Sequence, residues 1–501
     1  MPDLFACIAR GGSPGYAFHG IQFTCREEGS VVLRKTALMI LILFLLSNGL
    51  YTCGSLDLGN SSGGEKISDI DEGEKEKQRE AQWMDWTKNS VIYEVNVRQY
   101  TSEGTFEAFE KHLPRLKELG VDILWFMPIH PISKKKRAGT LGSYYAVQDY
   151  RAVNPEFGTL EDFKNLVKRA HDMGFKVLMD WVANHTGWDH VWMENPDWYT
   201  RDENGNIIKP PGTNWEDVAD LNYNNREMRA AMIESMKFWV EECDVDGFRA
   251  DYAGGVPVDF WEEARREIEK IKPVFMLAED DHTYELLEKA FDCNYGWGLY
   301  NIMNDIARGR KDASTIKSYF EKVGKKYPSG THPMHFITNH DENSWNGTEY
   351  ERLGDAVEAM AVLTFTVPGI PLIYSGQEVG LNKRLKFFDK DQILWNNLNM
   401  QEFYKALIRL KKENEALWNG DEGGPIEFLE TSYRKVLAFK REKDQNKVIV
   451  VINLSDKEQT ATVETGLHEK GFREYFTGAE FDLTGEMTIK LEPWSYIVLV
   501  K

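Results

Sequence analysis

The sequence predicts an α/β protein: a parallel (β/α)8 barrel of TIM type, with a short inserted subdomain after strand three and a C-terminal antiparallel β domain. Three observations lead there. From about Trp83, short β-branched and aromatic runs alternate with amphipathic helical stretches in regular order. The runs are apolar on both faces, as strands must be when helices cover them from outside. After about Glu413 the helical stretches give way to alternating strands separated by turns.

Taken in order, the N-terminus comes first. Arg34 and Lys35 precede an apolar run from Ala37 to Leu46. That run is too short to cross a hydrocarbon layer of about 30 Å, which takes roughly 20 residues, so it reads as a secretory signal. Leu50-Tyr51-Thr52-Cys53 resembles a bacterial lipobox, with Tyr51 bulkier than usual. A lipidated Cys53 would then be the first mature residue of an exported protein anchored at the cell surface or in the periplasm. Residues 1–53 are thus a signal region, within which Met1–Ser30 is assigned no function. Residues 54–82 are Gly/Ser-rich and charged and read as a flexible linker.

Strands are expected at Val91–Val97, Asp122–Pro128, Lys176–Val182, Gly247–Asp251, Val274–Glu279, Phe291–Tyr295, His335–His340 and Ile370–Ser375. Helices are expected at Leu160–Met173 and Asn225–Cys243, which places the barrel at 83–412. The stretch 186–222 is too long and polar for an ordinary loop and should project over the catalytic face. Val436–Lys440, Lys447–Asn453, Gln459–Val463 and Trp494–Val500 should build a β sandwich over 413–501.

Composition narrows the function. Lys and Arg number 60 against 80 Asp and Glu, a formal charge of −20. Such a surface repels nucleic acid and anionic membranes, leaving the N-terminal lipid as the one membrane contact expected. The five cysteines lack CxxC spacing and imply neither a disulfide framework nor a zinc site. The 15 Trp, 21 Tyr and 26 Phe supply core and, at the rim, stacking platforms for a flat uncharged ligand such as a sugar.

In a parallel barrel the reacting groups come from the C-terminal ends of the strands. Strand three ends Asp180-Trp181-Val182-Ala183-Asn184-His185 and strand four Gly247-Phe248-Arg249-Ala250-Asp251. Strand five ends Leu277-Ala278-Glu279-Asp280-Asp281 and strand seven Thr338-Asn339-His340-Asp341. Converging carboxylates beside an arginine and two histidines suit glycoside hydrolysis: one carboxylate meets the anomeric carbon while a second, protonated, serves the leaving oxygen. Glu94, Asp122 and Glu378 are also acids near strand ends, with nothing in their context that favours chemistry.

These four segments, in this order, resemble the signature regions of the α-amylase family of glycoside hydrolases. Val218-Ala219-Asp220-Leu221-Asn222, Gly369-Ile370-Pro371-Leu372-Ile373-Tyr374 and Tyr145-Ala146-Val147-Gln148-Asp149-Tyr150 fit as well, so the likeness spans Trp83–Lys501. The resemblance implies Asp251 as nucleophile, Glu279 as general acid and then base, and Asp341 as the group that binds sugar hydroxyls. It implies substrate binding by Tyr145, His185, Arg249 and His340, with Asp180 bracing the site through Arg249. A retaining mechanism would bring the Asp251 and Glu279 carboxyls about 5–5.5 Å apart.

Two departures bear on specificity. Where many relatives carry Lys-His after the nucleophile, this chain has Gly254-Gly255. Asn184 and Asp220 still match positions of a structural calcium site, so calcium would be held there if anywhere; the chemistry itself requires no cofactor. The implied substrate is an α-1,4-linked glucan such as starch or a maltooligosaccharide. An α-glucosidase, a cyclomaltodextrinase-type enzyme or a transglycosylase would use the same residues, and a catalytically silent glycan-binding lipoprotein is the reading from another class.

Overall fold

The structure, a computed structural model, describes residues 85–501. The lipobox-like Leu50–Cys53 and the linker at 54–82 lie outside the described residues. Eight strands close a parallel barrel: β1 (Ile92–Val95), β2 (Ile123–Phe126), β3 (Lys176–Trp181), β4 (Gly247–Ala250), β5 (Phe275–Ala278), β6 (Cys293–Tyr295), β7 (His332–His335) and β8 (Ile370–Tyr374). Each pairs with its neighbour in sequence, and β1 closes the ring by pairing with both β2 and β8.

Side chains alternate across each strand, so the inward set can be read two residues at a time. Ile92, Ile123, Trp125, Leu178, Phe275, Leu277, Ile370 and Leu372 pack together in one buried cluster. The same alternation carries Glu94, Asp180 and Arg249 inward at the C-terminal ends of β1, β3 and β4. Gly247 opens β4 because nothing larger fits: a Cβ there would lie 1.9 Å from the carbonyl oxygen of Phe275, at φ +156.

Outside, the helix Leu160–Asp172 starts on a capping box between Thr159 and Asp162 and buries Phe163, Leu166, Val167 and Ala170. The helix Arg226–Cys243 is capped by Asn225 and ends at Asp244 in the left-handed conformation. Within the insertion, His185–Gly187 pairs antiparallel with Val218–Asp220 to form a small ribbon beside the barrel mouth.

One strand sits elsewhere than expected. The sequence pattern places strand seven at His335–His340, but β7 is His332–His335. Its pairing with β8 ends at His335 and Pro371. Pro371 has no N–H to give, so the ladder stops there and Phe336–Asn339 leave the sheet. The polar Asn339-His340-Asp341 segment thus leaves the sheet and opens a short π-helix, Glu342–Asn346, above the barrel.

Beyond the barrel, seven strands form one antiparallel sheet: β9 (Ile426–Phe428), β10 (Glu430–Thr431), β11 (Val436–Lys443), β12 (Asn446–Asn453), β13 (Gln459–Glu474), β14 (Glu480–Leu491) and β15 (Tyr496–Val500). β13 runs far past the expected Val463, and its partner β14 was not foreseen. The outward residues of this hairpin are mostly charged or polar, and two register shifts along β13 break the alternation that would mark the strand. Where sheet meets barrel, the fully buried Arg441 donates to the carbonyls of Thr366, Leu417, Trp418 and Gly424. Lys411, also buried, donates to those of Gly369 and Leu417.

Candidate active site

Arg249 is the centre of the barrel mouth. Wholly buried, its guanidinium donates through Nη1 to Asp180 Oδ1 at 2.9 Å and to Asp251 Oδ1 at 3.0 Å. Nε donates to Tyr295 Oη at 3.0 Å. Nη2 lies 3.0 Å from Glu279 Oε1 without the alignment of a hydrogen bond. One cation therefore serves three carboxylates, two from adjacent strands β4 and β5. The backbone fixes the pair further: Asp251 N donates to Trp181 O and Glu279 N to Ala250 O, each at 3.0 Å.

Burial pushes the Glu279 carboxyl up to about 7; Arg249 opposes the shift, while the charges of Asp251 and Asp341 reinforce it. Burial likewise lifts Asp251 to about 6, against the pull of Arg249. Burial raises Glu279 further than Asp251, so Asp251 ionises first and Glu279 keeps its proton longer. Two carboxylates with separated affinities for a proton are what an acid and a nucleophile need.

Across the mouth, Asp341 has a side chain 37% exposed, open to a ligand. His340 Nε2 approaches its Oδ2 at 3.4 Å. Although burial acts to raise Asp341, the His340 charge and hydrogen bond hold it below the ordinary carboxylate value. His340 itself is held well above the usual imidazole value by Asp341 and Glu94, against the opposing effect of its burial. Tyr145 stacks on His340 with ring centroids 5.5 Å apart, and its hydroxyl lies 3.0 Å from Asp180 Oδ2.

His185 stands on the other wall. Burial drives it down to about 3, so it is neutral, and its ring packs against Trp215 at 5.4 Å. Trp215 meets the edge of Tyr252 at 5.5 Å. Tyr252 is 40% exposed, adopts φ +44, and sits immediately after Asp251. Of the five tryptophans at 188, 192, 198, 215 and 345, Trp192 and Trp198 pack on one another and Trp188 lies under Lys136. Trp345, 40% exposed and hydrogen-bonded to Asp341, joins Trp215 at the mouth.

The structure brings Asp251, Glu279, Arg249 and Asp180 into one ion-pair cluster, linked through Tyr145 and His340 to Asp341. Asn184 and Asp220 form no such centre. Asn184 offers its carbonyl to Leu221 N and its side-chain amide to His185 Nδ1. Among the described residues no three His, Cys, Asp or Glu side chains group as a metal would require. A calcium ion takes six to eight oxygens, backbone carbonyls and water among them, of which Asn184 and Asp220 would supply two.

Sequence reasoning named Glu94 without giving it a role, and missed Trp125, Tyr252 and Tyr295 at this site. Glu94 bonds His340 Nδ1, and Trp125 Nε1 donates to Asp180 Oδ2 at 3.2 Å. Strand alternation, followed one residue pair further along β1 and β2, would have pointed to the first two.

Comparison with known proteins agrees with this arrangement. Residues 74–453 match the family described as alpha amylase, catalytic domain, and residues 426–498 match the maltogenic amylase C-terminal domain. Alpha-amylase 3 of Dictyoglomus thermophilum is 29% identical over 83% of this chain and 93% of its own length. Among solved structures, a noncanonic maltogenic alpha-amylase from Thermotoga neapolitana superimposes with TM-score 0.75 at 31% identity, covering 82% of this chain and 98% of that one. An alpha-amylase from Lactobacillus plantarum gives TM-score 0.74 at 30% identity, covering 84% and 99%. With the catalytic-domain match spanning the barrel and its cluster of acids, the chain belongs to the α-amylase family of glycoside hydrolases.

Proposed function

We propose that this glycoside hydrolase cleaves α-1,4-glucosidic bonds of starch and maltooligosaccharides by double displacement. Asp251 Oδ1 is held by Arg249, which leaves Oδ2 free to attack the anomeric carbon. As that bond forms, the bond to the glycosidic oxygen breaks and the oxygen takes the proton of Glu279. Glu279, now a carboxylate, removes a proton from water. The water oxygen then displaces Asp251 from the anomeric carbon, and the starting configuration returns. Asp341 holds sugar hydroxyls through the distorted transition state, His185 and Tyr145 border the same sugar, and no step calls on a metal.

The observation that carries this reading is the single guanidinium of Arg249 shared by Asp251 and Glu279. Its test is product analysis on amylose, pullulan and short maltooligosaccharides, beside an Asp251→Asn control. Mixed oligosaccharides from amylose, absent in the control, support endo-action; no products at all would refute the assignment. A second reading, release of maltose as the main product, is favoured by the match of residues 426–498 to a maltogenic amylase C-terminal domain. Maltose alone from both polymer and oligomers would decide for it.

Export and lipid anchoring through Cys53 belong to the same proposal and rest on the lipobox-like Leu50–Cys53. Cys53→Ala should abolish lipid labelling; persistent labelling would overturn the anchor.

A further inference from the structure

His340 has both ring nitrogens engaged, and its neighbours dictate which protons it carries. Nδ1 faces Glu94 Oε1 at 2.5 Å. Nε2 lies 2.7 Å from Tyr145 Oη. The Tyr145 hydroxyl in turn lies 3.0 Å from Asp180 Oδ2, which also receives Trp125 Nε1–H. An ionised carboxylate only accepts, so the tyrosine proton points at Asp180. The tyrosine oxygen then has only lone pairs to show His340, and Nε2 must be the donor. Glu94 accepts as well, so Nδ1 carries a proton too. Proton counting leaves an imidazolium.

Glu94 is built for one task. It is fully buried, and its strand position is locked between Trp125 on β2 and Tyr374 on β8. Ser375 fixes its carbonyl through both N and Oγ. Its Oε2 meets no hydrogen-bond donor among the described residues. A buried carboxylate with a bare oxygen is costly unless a charge beside it compensates, and the adjacent charge is the His340 ring.

We propose that Glu94 is a positioning residue for the reaction: through Nδ1 it keeps His340 doubly protonated, so that Nε2–H points at Tyr145 and Asp341 beneath the bound sugar. The inference rests on the reading of Asp251, Glu279 and Asp341 as the reacting and sugar-binding carboxylates. Held this way, the ring keeps Asp341 ionised although two other carboxylates share the mouth. The groups that face His340 are Glu94 from β1, Trp125 from β2, Tyr145, Asp180 from β3, Phe387 from the stretch after β8, and its own neighbour Asp341. With Glu94 neutralised, the ring would lose one of the two charges that offset its burial, Asp341 alone would stand against it, and the hold on the second proton would weaken. Nε2 would then turn acceptor, draw the Tyr145 proton away from Asp180, and loosen Asp341.

The test is Glu94→Gln, which keeps shape and removes charge. Two readouts are needed: kcat/KM on a maltooligosaccharide across acid to neutral pH, and the His340 ring nitrogens by NMR of histidine-labelled protein, assigned with His340→Gln. In the wild-type enzyme the ring should remain an imidazolium throughout. In Glu94→Gln it should become neutral near pH 7, kcat/KM should fall about a hundredfold there relative to wild type, and that deficit should shrink as the pH is lowered. Glu94→Asp should restore the charge and part of the rate. A loss independent of pH would mean packing alone and would overturn the proposal, as would an imidazolium that persists in Glu94→Gln. If Glu94→Gln fails to fold, a neutral His340 in the wild-type spectrum overturns it directly and an imidazolium lost in Glu94→Asp supports it. An inactive wild-type enzyme would instead sink the functional reading.

Discussion

The backbone N–H of Tyr252 donates to Glu279 Oε2 at 2.8 Å, which fixes an exposed aromatic ring against the group that serves the leaving oxygen. The ring's place explains the glycine pair that stands where relatives carry Lys-His. A Cβ on Gly255 would come 2.4 Å from Tyr252 ring atoms, and one on Gly254 2.3 Å from Asp280 Oδ2. Gly255 makes room for the aromatic, and Gly254 for Asp280. Because it lies on the leaving-group side, Tyr252→Ala should raise KM for maltooligosaccharides about three- to tenfold, the worth of one stacking contact. Tyr252→Phe should change it little. Equal KM values in both variants would show that the ring touches no sugar.

The pH profile should be narrow. Asp251 must be ionised to attack, so activity should rise through about 6 as pH increases. Glu279 must be protonated to serve the leaving group, so activity should fall through about 7. Glu279→Gln should cut kcat on maltooligosaccharides by about 10²–10⁴ and abolish the falling limb. With an aryl glycoside, whose phenolate leaves without a proton, the loss should be far smaller. An unchanged alkaline limb would mean that another group supplies the proton.

Arg249→Met should destabilise the protein by about 3–5 kcal/mol, because it strands buried carboxylates without their cation. The deficit should depend on pH. With Arg249 present the folded-state affinities of Asp180, Asp251 and Glu279 for protons already exceed those of the unfolded chain, and without it they rise further. The folded state then binds more protons, and its stability falls as pH rises through their titration. Thermal unfolding should therefore show the variant closest to wild type in acid and furthest from it above neutral. A deficit that does not vary with pH would contradict the shared-cation account.

Gly247→Ala should prevent barrel closure. The overlap it creates is with a backbone carbonyl of β5, which cannot move aside as a side chain can. Loss of soluble protein is expected, while Ala250→Gly, three residues along the same strand, should be tolerated apart from modest destabilisation. Soluble, folded Gly247→Ala protein would show that β4 and β5 can separate.

The sequence disclosed the barrel and the acids because both follow short-range rules. Strands buried on two faces read as apolar runs, and the residues ending them are polar only where chemistry or binding needs them. The slip of β7 was hidden because Phe336 and Ile337 look as strand-like as Met334, and the deciding fact is Pro371 on another strand. The β13–β14 hairpin was hidden for another reason: Phe481, Leu483, Met487, Ile489 and Leu491 alternate with polar residues, but register shifts at Glu464/His468 and Glu469/Phe472 break the period along β13. Glu94 was set aside because its meaning depends on His340, 246 positions away and bonded to it across the barrel. Pairings of this kind are tertiary facts with no local trace.

The buried cations at the junction between barrel and sheet bear on how the molecule comes apart. Arg441 belongs to the sheet, yet it neutralises carbonyl dipoles at the end of a barrel helix and in the turn that leads out of the barrel. Separating the two halves would leave a bare guanidinium on one side and uncapped peptide groups on the other, so neither half has a low-energy state alone. Heating should accordingly produce one cooperative transition, and a barrel cut free of residues beyond 425 should aggregate rather than survive as a smaller enzyme. The endurance of the catalyst is decided at a seam where no sugar arrives.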